Sequence, residues 1–190
     1  MVEENTEEFA QEEATVSQEK VGAISARMVS MHRSVAGVVR AEKDVTIRQG
    51  AAREVRAHDV AIRQGAVMTL DAERVQMTQG AAMLVRSSEA NLGPGTRNVA
   101  VIADNIKLDQ SAAQFLLARD SASLDQCLAG IVVGQRVTAK DSTAVLMFAD
   151  SVEGNVSVVM DRQMAITFGA ALGAAMGLVL AIFGILKRKK

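Results

Sequence analysis

Apolar or small residues recur along residues 21–160 in pairs two positions apart, and the pairs recur every five residues. The first member reads Val45, Gly50, Val55, Val60, Gly65, Leu70, Val75, Gly80, Val85 and Ala90. The second reads Ile47, Ala52, Ala57, Ile62, Val67, Ala72, Met77, Ala82 and Ser87. Three such groups make a repeat of fifteen, clearest in VTIRQGAAREVRAHD (45–59), VAIRQGAVMTLDAER (60–74) and VQMTQGAAMLVRSSE (75–89). The pattern extends upstream to Ile24/Ala26 with a slip near Asp44, and downstream to Val152/Gly154 with a slip near Ser121.

Residues two apart on a strand point the same way, so each pair predicts a short strand with one inward face. A helix is the competing reading, because fifteen residues over four turns fits a right-handed supercoil. On a helical wheel, however, the paired positions fall on all sides and leave no seam. β-Branched Val-x-Ile pairs and a recurring Gly also favour strands. Short internal repeats mark solenoids. The expected fold is therefore an all-β, three-sided parallel β-solenoid (β-helix) of about 15 residues per coil, with about nine coils and a length near 40 Å.

Stacked coils place like residues in columns. One column reads Val45, Val60, Val75, Ile106, Ala122, Val137 and Val152; another, uniformly small, reads Gly50, Gly65, Gly80, Ser111, Cys127 and Ser142. A polar column holds Gln49, Gln64, Gln79, Gln110 and Gln126, then Asp141, and in-register glutamines can hydrogen-bond along a stack as a polar ladder. The stretch SSEANLGPGTRN (87–98), with the one Pro, reads as a loop insertion.

A different pattern follows. Residues 164–186, MAITFGAALGAAMGLVLAIFGIL, are 23 positions without a charge. As a helix they would span about 34 Å, enough for the hydrocarbon core of a bilayer. One C-terminal transmembrane α-helix is therefore predicted. Ala165, Gly169, Gly173, Gly177 and Ala181 recur every four residues, a small-residue stripe suited to close helix packing. Lys187, Arg188, Lys189 and Lys190 form a basic tail at the membrane interface.

Charge sharpens the division. Residues 1–20 hold seven Glu against Lys20, so the net charge of −1 is a cancellation between acidic and basic ends. The expected organisation is an acidic N-terminal tail or cap (1–20), the solenoid (21–161), the membrane helix (164–186) and the basic tail (187–190). Residues 1–20 contain no basic run followed by an apolar one, which argues against a signal peptide. The basic tail alone would favour a cytoplasmic C-terminus. A long domain preceding its membrane segment favours a cytoplasmic solenoid instead, and the solenoid is expected on that side.

Composition fits a thin core: 190 residues contain five Phe, no Trp and no Tyr. A narrow interior of Val, Ile, Ala and Gly has no room for rings, and Phe115 and Phe148 are expected outside it. Chemistry is sparse. Cys127 is the one cysteine, and His32 and His58 occupy unlike repeat positions. No metal-ligand spacing, phosphate-binding loop or catalytic motif occurs, so no catalytic residue, metal or cofactor is predicted and the chain is not expected to be an enzyme. The near-neutral balance points away from nucleic acid. Arg48, Arg53, Arg56, Arg63, Arg74 and Arg86 enrich the clearest coils and could form a patch for lipid headgroups or a partner, but Glu54, Asp59, Asp71 and Glu73 are interleaved with them, which favours a solvated mixed face.

The Val-x-Ile coils with Gly-containing turns and charged ends resemble the bactofilins, bacterial polymer-forming cytoskeletal proteins. The resemblance implies a β-solenoid that self-associates and attaches to membranes. Two features depart from it: the five-based regularity, closer to pentapeptide-repeat style, and a C-terminal spanning helix. The expected role is a membrane-anchored structural scaffold, with a lipid bilayer and further copies of the chain, joined through helix or solenoid, as partners. An alternative is a module that binds an unidentified protein partner through the 87–98 loop and Arg-rich coils. A solenoid acyltransferase is a further alternative, disfavoured because those enzymes use six-residue periodicity and an interfacial catalytic His.

Overall fold

The computed structural model describes residues 12–160. They form one nine-stranded parallel sheet in strict sequence order. The strands are β1 (Glu13–Ser17), β2 (Lys20–His32), β3 (Val35–Arg48), β4 (Ala51–Arg63), β5 (Ala66–Thr78), β6 (Ala81–Leu92), β7 (Arg97–Asp109), β8 (Ala112–Asp125) and β9 (Leu128–Met160). From β2 to β8 each strand is nearly one whole coil, bent around its corners; the 33 residues of β9 continue through two. Thirteen strand residues of β4 and two corner residues, Gln64 and Gly65, complete the repeat, so Ala51 pairs with Ala66. The chain is thus a parallel β-solenoid, consistent with a bactofilin-like repeat fold.

The inward pairs are where the five-residue period puts them. Val45, Ile47, Ala52, Val55, Val60 and Ile62 are buried, as are Val132, Val137 and Ala139 in the more divergent coils. Each fully buried Val, Ile or Leu side chain contributes about 1.5–3 kcal/mol of transfer free energy, and one stack of them runs through the described coils. Phe115 and Phe148 lie outside it and are exposed. Val152 departs from its expected inward column: it lies in the last described coil and is 45% exposed.

Register shifts sit where the sequence slips. Ala26 pairs with Ala41 but Met28 with Asp44, so one extra residue is absorbed near 42–44. Likewise Ala103 pairs with Ala118 but Asn105 with Ser121. Both extra residues fall among exposed corner positions, leaving the inward phase intact on either side.

Two segments differ from the sequence reading. Residues 13–17, assigned by charge to the acidic tail or cap, form β1 and pair with Met28–His32. Val16 and Ala14 are partly buried against the core, which outweighs the surrounding glutamates. Of the expected loop 87–98, only residues 93–96 lie between strands. Ala90, Leu92, Thr96 and Asn98 are buried, so the segment keeps the inward phase and adds one residue to its coil.

Candidate functional site

Among the described residues no group of three or more His, Cys, Asp or Glu could hold a metal ion, and no helix is long and apolar enough to cross a membrane. The candidate packing stripe Ala165, Gly169, Gly173, Gly177 and Ala181 and the basic residues Lys187–Lys190 lie outside the described residues. What the solenoid offers chemically is its outer surface, which divides into three unlike faces.

The first corner carries the glutamines. Gln49, Gln64, Gln79, Gln110 and Gln126 have φ between 44 and 59°, and Gln18, Arg33 and Asp141 share that left-handed turn in other coils. An L-residue there costs roughly 1–2 kcal/mol. The turn orients each backbone amide toward the next coil: Gln49 N–H donates to Arg63 O and Gln64 N–H to Thr78 O. The same turn aligns three side-chain amides. Gln49 Nε2 donates to Gln64 Oε1 (3.0 Å), Gln64 Nε2 donates to Gln79 Oε1 (2.9 Å), and Arg33 Nε donates to Gln49 Oε1 (3.1 Å). The series stops at Gly95, which takes the corner with φ +74° and has no side chain to continue it. No side-chain hydrogen bond joins Gln110 or Gln126 to a neighbouring glutamine among the described residues.

The residue after each corner is small for a physical reason. A Cβ on Gly65 would lie 2.9 Å from Gly50 O and 2.9 Å from Ile62 Cγ2. Two side chains in this column turn back on their own corner: Cys127 Sγ donates to Asp125 O (3.0 Å) and Ser142 Oγ to Lys140 O (2.9 Å). Ser142 Oγ also accepts from Cys127 N–H (3.1 Å). Cys127 is buried within this network.

Before that corner, outward residues make a polar face with a stack of His and Arg side chains. His32 registers with Arg48 and Arg48 with Arg63, next to the glutamine ladder. Together with Thr78 and Pro94 they line a shallow cleft of about 610 Å³.

A second face is charged and internally paired. Arg74 grips Asp59 with both guanidinium nitrogens, Nε to Oδ1 at 2.6 Å and NH2 to Oδ2 at 2.8 Å. That hydrogen bond holds the Asp59 carboxyl below its ordinary pKa. Arg56 lies 2.7 Å from Glu54 and His58 Nδ1 2.9 Å from Glu73. In one column of this face, charge gives way to hydrocarbon: Arg40, Arg56, Asp71 and Arg86 are followed in register by Ile102, Leu117 and Val133.

The third face, just after the glutamine corner, is mostly apolar. Val35, Ala51, Ala66, Ala81, Arg97, Ala112 and Leu128 register in one column. Met68, Met83, Val99 and Val145 stand beside them, exposed. Gly22, whose missing Cβ would meet nothing within 4 Å, leaves its floor open at one end, and a trough of about 900 Å³ runs along it from Lys20 to Gln114. The repeat analysis tracked inward positions and passed over this face. Its signal was available: positions one and three after each corner are mostly Ala, Met, Val or Gly.

Comparison with protein-family models, with curated proteins and with solved structures returned no match.

Proposed function

We propose that this chain is a non-catalytic, self-associating scaffold, a rigid solenoid rod held at a membrane by residues 164–186. The observation that carries the scaffold reading is the single parallel sheet from β1 to β9, closed around one continuous core, with an apolar face along its side. A rod of stacked coils resists bending because every backbone ladder and core column would have to deform together. The membrane part rests on the uncharged 23-residue run and the basic residues after it. The solenoid is assigned to the cytoplasmic side.

Membrane attachment is tested by alkaline carbonate extraction of cell membranes. The full chain should stay in the pellet, and a chain lacking residues 164–186 should be released. Release of the full chain refutes anchoring. Protease added outside intact cells should leave the solenoid uncut; digestion from outside reverses the assigned side.

A second reading, a partner-binding module, is favoured by Arg48 and Arg63, whose like charges sit one coil apart. An anionic surface would relieve that repulsion. Binding that weakens steeply with salt and is lost on Arg48→Gln/Arg63→Gln would support it.

A further inference from the structure

We infer that the apolar face following the glutamine corner is the surface through which two copies of this chain pack side by side. The inference rests on the self-association reading above and assigns it a place: the long side of the rod.

The face is long and sparsely charged. Exposed Val35, Met68, Met83, Val99, Leu128 and Val145 mark it from the second coil to the last described one. Lys20, Arg53 and Arg97 are the cations that interrupt it. An apolar strip of roughly 600 Å² lies at the top of the range that monomers leave exposed, where such patches often mark interaction sites.

Its shape selects the occupant. A bilayer is engaged by bulky groups that reach into the acyl region, usually with aromatic residues among them. Here the central rows are Ala51, Ala66, Ala81 and Ala112, which have no such reach. Small side chains instead let another flat sheet approach to the ~10 Å spacing of packed sheets. Met68 and Met83, unbranched and adaptable, would fill the remaining gaps.

The area is sufficient. Coils spaced about 4.8 Å apart and a side about 15 Å wide give roughly 600 Å² per copy, or about 1,200 Å² for the pair, at the lower bound of stable interfaces. The contact is isologous, the same patch on both copies. Met83 sits near the middle of the face, so it meets its symmetry mate whether the rods run parallel or antiparallel.

The test uses the full chain reconstituted in liposomes, in a Cys127→Ser background, with benzophenone maleimide attached to Met83→Cys or, as control, to Thr78→Cys on the polar face. Illumination should give a dimer band from position 83 at least tenfold stronger than from position 78. Adding Met68→Glu and Leu128→Glu, both exposed substitutions, should reduce that band at least tenfold while the circular dichroism spectrum stays unchanged. Equal dimer yield from both positions, or a yield indifferent to the glutamates, overturns this interface and leaves self-association elsewhere intact. Lipid adducts in place of dimer assign the face to the bilayer and also overturn it. A chain that is monomeric by single-molecule photobleaching in the same liposomes overturns both this inference and the self-association reading.

Discussion

Gln64 is held in place by two opposing effects, and separating them tests the account of the corner. Its side chain accepts from Gln49 and donates to Gln79, two hydrogen bonds of 3.0 and 2.9 Å on an exposed edge. At the low end for solvent-accessible bonds, each contributes about 0.5–1 kcal/mol. Its backbone, at φ 59°, costs roughly 1–2 kcal/mol relative to a glycine. Gln64→Ala loses the bonds and keeps the strained turn, so it should destabilise by about 1–2 kcal/mol. Gln64→Gly loses the same bonds and relieves the turn, less about 0.5–1 kcal/mol for the freer unfolded chain. The expected order is wild type, then Gly, then Ala, with Gly and Ala separated by about 0.5–1 kcal/mol. Urea unfolding followed by far-ultraviolet circular dichroism measures this; with no Trp or Tyr in the chain, side-chain fluorescence is no substitute. A Gln64→Ala midpoint within the roughly 0.5 kcal/mol range of neutral surface changes refutes the ladder's contribution. Equal midpoints for Gly and Ala refute the strain argument.

Other substitutions probe the remaining columns in the same urea assay. Gly65→Ala places a methyl against Gly50 O and Ile62 and should cost about 1–3 kcal/mol, whereas Gly22→Ala, which meets nothing within 4 Å, should not lower the midpoint; equal losses would refute the close-approach explanation. Neither amide atom of buried Asn98 has a hydrogen-bond partner, so Asn98→Ala, matching its register neighbours Ala82 and Ala113, should stabilise by about 1 kcal/mol; a lower midpoint would contradict this. The Asp59 carboxyl has a lowered folded-state pKa, so its contribution is present above the unfolded value near 3.9 and is lost as pH falls through the folded one. Wild type should therefore exceed Asp59→Asn slightly at pH 6, and the gap should close as pH drops below about 4; a gap that widens on acidification would show the sign to be wrong.

The interior was legible because an inward side chain has one requirement, to be apolar and to fit. Val45, Val60 and Val75 meet that requirement at intervals of fifteen, and even the two register slips could be located from where the phase breaks. Residues 87–98 were misread because Ser, Asn, Gly and Pro cluster there. The inward Ala90 and Leu92 preserve the phase through the cluster, and that signal outranks local composition. β1 was hidden similarly, since its two inward residues, Ala14 and Val16, are surrounded by charge. The glutamine column could be read as a ladder, but not its left-handed turn, which Gln adopts only because the coil closes there. Outer faces were least legible. An exposed Ala or Met satisfies no local rule, and Met68 and Met83 acquire meaning only when the coils are stacked.

The corner also makes length a variable independent of fold. Because Gln64–Gly65 and Gln79–Gly80 are equivalent, excising residues 65–79 joins Gln64 to Gly80 and regenerates the same turn. Every remaining column then keeps its order, and the rod shortens by about one 4.8 Å step. Duplication of the same fifteen residues lengthens it by the same step. Such a protein can be tuned in reach by whole-coil gain or loss, like a ruler cut only at its graduations, with the turn and the inward phase retained.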